Sequence, residues 1–404
     1  MAPAERRAAF GLAAIFATRM LGLFLILPVF AVYARGLDGF SPALAGLAIG
    51  AYGLTQAALQ IPFGWLSDRF GRKPVIAVGL LLFAAGSLLA AVGDSIWTVI
   101  AGRALQGTGA IAAAIMALAA DLSRESQRSK VMAVIGGGIG VAFMAALMLG
   151  PALDSLIGVP GIFLLTACLA IAAIGLLFGF VPRPQAPAAP AAATRFRDVL
   201  LDAQLLRLDF GVFVLHMMLT AMFVVFPLVL VDRLQIPLIH HTWLYLGVMI
   251  AAIAVMVPVL ISAERHQRTR LAFIGAVAVL AAANLLLAQG PRALWSVVVV
   301  LVPFFAAFNL LEATLPSLVS RLAPAARKGA ALGVYSSSQF FGAFAGGTFG
   351  GWLHQHYGID AVFLMLAGMA AVWAVVATGM RVPARRAETV SGSSVADEFS
   401  RGGA

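Results

Sequence analysis

Long apolar runs separated by short polar or Gly/Pro breaks occupy nearly the whole chain. An α-helix rises about 1.5 Å per residue, so about 20 apolar residues cross the roughly 30 Å hydrocarbon core of a bilayer. Runs of this kind are read at residues 10–33, 42–66, 75–92, 96–120, 131–153, 161–181, 208–231, 242–262, 271–288, 294–319, 330–353 and 361–380, which predicts twelve helical spans. The shortest turns fall at Gly93-Asp94 and Gly290-Pro291.

Composition makes lipid the solvent. Of 404 residues 62% are hydrophobic and 11% charged, against about 25% charged in an ordinary soluble domain. So few charged side chains cannot cover a soluble protein of this length. Glu5-Arg6-Arg7 before an apolar run has the look of a signal peptide. That run is longer than a signal core and carries Arg19, so it is read as the first span. The lone Cys168 leaves no disulfide framework and no CxxC metal motif.

In a soluble protein the net charge of +10 would raise nucleic acid as a partner. With the N-terminus placed inside, 22 of the 27 Lys and Arg residues fall in cytoplasmic segments, and only Arg35, Arg233 and Arg292 in outer loops. This asymmetry predicts a multi-pass protein with both termini cytoplasmic, and it assigns the basic charge to topology, with no nucleic acid.

A Pro/Ala stretch beginning at Pro182-Arg183-Pro184 cannot be helix interior and reads as a semi-rigid linker. It divides the chain into a first six-helix bundle (1–181), a cytoplasmic linker (182–207), a second bundle (208–381) and a Ser/Gly-rich tail read as disordered (382–404). Within the linker Phe196, Val199, Leu200, Ala203 and Leu206 recur at helical spacing, predicting a short amphipathic helix on the inner membrane face. Pro62, Asp68-Arg69 and Arg72 recur 196 positions later as Pro258, Glu264-Arg265 and Arg268. Duplicated halves of this kind can rock around a site at the membrane midplane.

The most specific motif is Gly64-Trp65-Leu66-Ser67-Asp68-Arg69-Phe70-Gly71-Arg72-Lys73-Pro74. Gly71 supplies backbone freedom for a tight turn between spans, while Asp68 and the bases offer paired charges at the water boundary. The segment resembles the signature Gly-x-Leu-x-Asp-Arg-x-Gly-Arg-Lys/Arg of the major facilitator superfamily, with every fixed position filled, and the resemblance extends over about residues 8–382. Arg19-Met20-Leu21-Gly22, Asn309-Leu310-Leu311-Glu312 and Gly333-Val334-Tyr335-Ser336 resemble its YajR-type bacterial branch, which is similar to drug and proton antiporters. That branch carries a small soluble domain after the twelfth span. The tail here is too short to hold one, so regulation by such a domain is not expected.

The resemblance implies an all-α polytopic fold of twelve transmembrane helices in two pseudo-symmetric six-helix bundles. It implies a gating role for Gly64, Asp68, Arg69, Gly71, Arg72, Lys73 and Asp121. Asp68 is expected to face the N-terminal end of the eleventh span near residues 330–332, where the helix dipole favours an anion, and Arg72 to pair with Asp121. Arg103, in Arg103-Ala104-Leu105-Gln106-Gly107-Thr108-Gly109, fills the family's second motif. Gly136-Gly137-Gly138, Gly140 and Gly150-Pro151 resemble its antiporter motif, read as a close-packing face with a bend at Gly150 and Pro151; Asp154-Ser155 depart from that pattern.

A charge inside a span is costly and should face protein or a cavity. Glu312, read as the only carboxylate deep in the second half, is the first candidate for proton coupling, because burial raises a carboxyl pKa from about 4.3. His216, with an ordinary pKa of about 6.5, is the second. Arg19 is read as a fixed cation of the inner cavity, and Arg103 as a partner for polar groups of the first span or an influence on a proton-carrying acid. Met20, Phe24, Met116, Met144, Met148, Phe223, Asn309 and Gln339 are candidate cavity-lining residues.

No cofactor or metal is expected. The sequence holds no HExxH, GxSxG or clustered His/Cys set to support an enzyme, and His240-His241 and His354/His356 are too scattered to assign a metal site. A channel would need rings of like residues. The reading is a monomeric proton-coupled antiporter of the bacterial inner membrane that exports small amphipathic molecules by alternating access. Its partners are the small-molecule substrate, protons and the lipid bilayer. A sugar or metabolite transporter with symport or uniport coupling is the alternative.

Overall fold

The computed structural model describes residues 1–182, 201–324 and 328–381, which are helical apart from short turns and one isolated bridge between Asp38 and Ser95. Hydrocarbon offers the backbone no hydrogen-bond partner, so each span must satisfy itself as helix. Among the described residues ten helices are long and apolar enough to cross a membrane. One of them, Glu125–Gly179, is broken at Gly158 and makes the fifth and sixth spans. The glycine-rich eleventh span, Lys328–Tyr357, completes the expected twelve.

The first span consists of Pro3–Phe24 and Leu27–Tyr33, and the fourth of Ile96–Thr108 and Ala112–Asp121. The second and third are Pro42–Phe70 and Arg72–Ala91. In the second half the seventh to tenth spans are Ala203–Leu228, His241–Arg265, Thr269–Ala288 and Leu294–Leu322, and the twelfth is Ile359–Thr378.

The amphipathic linker helix needs correction. Phe196, Val199 and Leu200 lie outside the described residues, while Ala203 and Leu206 already belong to the seventh span. Asp202 caps that span: its carboxylate accepts from the Gln204 and Leu205 N–H groups at 2.8 and 3.0 Å, which sets the helix start just after it. Most of the linker and the tail from 382 lie outside the described residues.

Buried apolar side chains gather into two large clusters. One fills the inner part of the first half, from Ala9 to Val181, and includes Phe340 from the second. The other runs from Leu25, Phe30 and Ile49 through Phe143 and Leu147 into the second half. The halves are therefore joined away from the face that carries the Arg-rich loops, termed the inner face after the positive-inside expectation. Backbone contacts agree: Gly46 of the second span lies against Gly347 and Gly351 of the eleventh, and Gly50 against Phe344. Between the fifth and eighth spans Thr242 donates to the Met148 carbonyl at 2.9 Å. Nearer the middle, Ser337 donates to the Ala57 carbonyl at 3.2 Å. At the inner end of the eleventh span, Gly329 and Gly333 have open space where a side chain would stand. The halves are thus sealed at the face opposite the Arg-rich loops and stand apart at the loop face.

The halves also share a device at the inner face. Lys73, just past the second span, donates to the Leu177 and Val181 carbonyls at 3.0 and 2.5 Å, at the end of the sixth span. Arg270, just past the eighth, donates to the Thr378 carbonyl at the end of the twelfth. A cation at a helix C-terminus meets unpaired carbonyls and the negative end of the dipole.

Candidate transport site and gates

Three spans of the second half bring polar and titratable groups together at mid-depth. His216 on the seventh span has Nδ1 3.2 Å from the Val212 carbonyl. A carbonyl only accepts, so Nδ1 carries the hydrogen and Nε2 is left as an acceptor. Gln339 Nε2 of the eleventh span donates to it at 2.7 Å. Glu312 Oε2 of the tenth span stands 3.8 Å from the same His216 Nε2, too far for a hydrogen bond and close enough for an ion pair once the imidazole is charged. That oxygen is buried without a hydrogen-bond partner. A neutral His216 therefore pairs with Gln339, and a protonated one gains Glu312.

An aromatic bridge lies beside this cluster. The Phe308 ring packs on His216 and, across the halves, on Phe143, both at 6.2 Å between centroids. Phe143 meets Phe24 of the first span edge-on at 5.1 Å. Phe24, Met144, Asn309 and Gln339 are half-buried, as cavity-facing residues would be. Two other lining candidates are corrected: Met20 is packed in the core of the first half, and Phe223 is fully buried against Tyr245. Met116 packs on the first-half core, and Met148 serves the seal between halves through its carbonyl.

Arg19 and Arg103 are buried inside the first half, so Arg19 is not the cavity cation expected. Arg19 Nη2 donates to Gln56 Oε1 and to the Gly109 carbonyl, both at 2.7 Å, and Gln56 in turn donates to Gln60 at 3.0 Å. The break in the fourth span explains the site, because it releases the Gly109 carbonyl from the helical ladder. Arg103 Nη1 donates to Gln106 Oε1, and Gln106 Nε2 to Ser87 Oγ, both at 2.7 Å. Both guanidiniums lie over the Tyr52 ring, at 5.7 and 5.1 Å. Such amide, carbonyl and ring partners make an interior cation tolerable without a carboxylate.

In the motif loop Gly71 alone separates the second and third spans, with φ 92°, a left-handed conformation that side chains disfavour. Arg72 Nε lies 3.1 Å from Asp121 Oδ2, and the same guanidinium bonds Ser67 Oγ at 2.7 Å and pairs with Asp68. Arg69 lies over the Trp65 and Phe70 rings, and Gly64 faces Ala113 of the fourth span. The Asp68 side chain is 62% exposed, and its ion pair is with Arg72 rather than the eleventh span, because the inner ends of the halves stand apart. In the first turn of the first span, Glu5 accepts from Arg124 Nε and Nη2 at 2.9 and 3.1 Å.

The fifth-span glycines divide. Gly150 sits where a side chain would stand 2.6 Å from the Leu25 carbonyl, at the break in the first span, next to Pro151. Gly136, Gly137 and Gly140 have open space, so the close approach expected there is absent in this state, in which the inner ends are apart.

Sequence reading missed the outer closure. Arg35 Nη1 and Nη2 donate to Asp232 Oδ1 and Oδ2 at 2.9 and 2.5 Å, a bidentate pair that joins the two halves. Arg233 pairs with Asp360 at 2.6 Å, tying the seventh span to the twelfth. It also missed Asp209 and Tyr335, buried in the second half. Among the described residues no group of three or more His, Cys, Asp and Glu side chains is placed to hold a metal ion.

Residues 12–347, and in an overlapping match 208–399, fit the family model described as Major Facilitator Superfamily. The chain belongs to the Major Facilitator Superfamily. Similar members include the inner membrane transport protein YajR of Escherichia coli K12, 46% identical over 387 residues, which cover 95% of this chain and 85% of that protein. Multidrug resistance protein D of the same organism is 35% identical over 132 residues, 32% of this chain and 33% of the relative. The crystal structure of the human organic anion transporter MFSD10 (TETRAN) shares the superfamily fold, with a TM-score of 0.69 and 21% identity over 93% of this chain and 100% of that one. The superfamily makes this chain a multi-pass membrane transporter of small molecules and not an enzyme.

Proposed function

We propose that this transporter is a proton-coupled antiporter that exports small amphipathic molecules from a bacterial cell, works as a monomer in the inner membrane and keeps both termini cytoplasmic. The observation that carries the reading is the His216, Gln339 and Glu312 cluster beside the Phe143–Phe308 bridge. A proton on His216 exchanges its Gln339 partner for Glu312, while the aromatic side chains offer an adaptable apolar surface to a substrate. The sequence match to a multidrug resistance protein supports export, and the positive-inside count supports the orientation.

Alternating access then needs two closures of which one is made at a time. In this state the outer closure comprises Arg35–Asp232 and the glycine contacts of the second and eleventh spans. When it opens, the inner ends approach and Asp68 meets the N-terminal end of the eleventh span, whose dipole favours an anion.

The test is reconstitution in vesicles with an imposed pH gradient and a panel of amphipathic cations, anions and neutral compounds. Substrate movement and proton movement should run in opposite directions, and Glu312→Gln should abolish gradient-driven transport. Gradient-independent transport, unchanged in Glu312→Gln, would sink the reading. For the outer latch, Arg35→Ala should shift the state balance toward outward-open by up to about fivefold, the scale of an exposed ion pair of about 1 kcal/mol. The charge swap Arg35→Asp with Asp232→Arg should restore it. Spin-label distances across the outer ends report the balance; no shift in the single variant would remove the latch from the cycle.

A further inference from the structure

We propose that the notch beside Pro258, on the inner half of the eighth span, is a binding site for an anionic phospholipid, with the phosphate on Arg265 and an acyl chain on Val257, Pro258 and Ile261. The site does not depend on how transport is coupled. Among the described residues the eighth span is the least enclosed of the ten apolar helices, with 22% of its most apolar stretch buried. Its outward face therefore meets lipid.

Pro258 stands inside this helix, where it has no N–H to donate and its ring crowds the preceding turn. Beside it lies a notch of about 400 Å³ lined by Val257, Pro258, Ile261, Ser262, Arg265 and His266. The lining is graded along the helix. Val257 and Ile261 are exposed and make an apolar floor, while Ser262, Arg265 and His266 form a polar rim where the span ends. His266 Nδ1 lies 2.9 Å from the Ser262 carbonyl, which holds the ring against its own helix. A phospholipid is graded in the same order, from acyl chain to phosphate.

Charge selects the headgroup. Arg265 stands 196 positions after Arg69, at the equivalent place in the sequence repeat. Arg69 lies over the Trp65 and Phe70 rings of its own span, and Arg72 next to it pairs with Asp121. Arg265 has no such partner: among the described residues neither a ring nor a carboxylate engages its guanidinium. The stretch 264–270 sets Arg265, His266, Arg268 and Arg270 against one acid, Glu264. Such an excess of base at the membrane boundary attracts an anionic headgroup and repels the choline of a zwitterionic one.

Native mass spectrometry of the whole chain, released from detergent micelles and titrated with phosphatidylglycerol or phosphatidylcholine of matched acyl chains, tests this. Wild type should hold its first phosphatidylglycerol at least about fivefold more tightly than phosphatidylcholine, the scale of one base near an anionic headgroup. Arg265→Gln should remove most of that preference. Lys130→Gln, which deletes an exposed charge from the first half, should leave it. Ile261→Trp, which fills the floor, should weaken both lipids, and glycerol phosphate, the headgroup without chains, should displace neither. Equal retention of the two lipids by wild type, a result that needs no variant to fold, overturns the proposal. So does a preference that survives Arg265→Gln, or displacement by glycerol phosphate. A dimer that Ile261→Trp disrupts would place a second copy of the chain in the notch and overturn it too.

Discussion

Valine in place of Gly347 is expected to break the outer seal and deplete the inward-open state by at least about tenfold. A Cβ at Gly347 would stand 2.5 Å from the Gly46 carbonyl oxygen and 2.7 Å from the Gly50 nitrogen. Both obstacles are backbone, so no side chain can swing aside, and the second and eleventh spans must separate. Overpacking costs about 1–3 kcal/mol even where side chains can adjust, and about 1.4 kcal/mol is already tenfold in an equilibrium. Because the contact is made on the outer side, the substitution should trap the outward-open state. Spin-label distances should lengthen across the outer ends and shorten across the inner ones. Gly175→Ala, placed where a side chain meets open space, is the control and should leave both unchanged. If Gly347→Val keeps wild-type distances, the glycine contact does not hold the seal.

The second large effect concerns stability. Gln56→Leu should cost about 3–5 kcal/mol, because it strips a fully buried Arg19 of its amide partner and leaves the charge only the Gly109 carbonyl and the Tyr52 and Phe83 ring faces. Arg19→Met should cost less, about 1–3 kcal/mol, since it leaves only a neutral amide oxygen unsatisfied. Adding Arg19→Met to Gln56→Leu should recover much of the loss, because the stranded charge is then gone. Thermal unfolding of the purified variants checks the order. Additive losses would show that the two side chains do not act as a pair.

Those two sites show where sequence reading reaches. Gly346-Gly347 and Gly350-Gly351 stand out in the sequence of the eleventh span, but nothing there marks their partners on the second span, some 300 positions earlier. Arg19 was visible as a charge in an apolar run. Its placement inside the first half depended on the break at Gly109 and on Gln56, neither of which periodicity reveals. Asp209 sits two residues from Arg207 at the start of a span, the usual place for a solvated interfacial acid, so Glu312 looked like the only deep carboxylate. In the folded protein it is nonetheless buried.

What the sequence determined by itself is local and additive. Run length set the number of spans, because each needs about 20 residues to cross lipid. Uneven Lys and Arg predicted their orientation, and Gly71 in its motif marked the tight turn that the structure forms. Tertiary structure decided every pairing between distant spans: Arg35 with Asp232, 197 positions apart, His216 with Gln339, 123 apart, and Phe143 with Phe308. The physical reason is that an apolar run records a helix's preference for lipid or protein, but not which neighbour each of its faces meets. Charge burial and the seal between halves depend on that choice of neighbour.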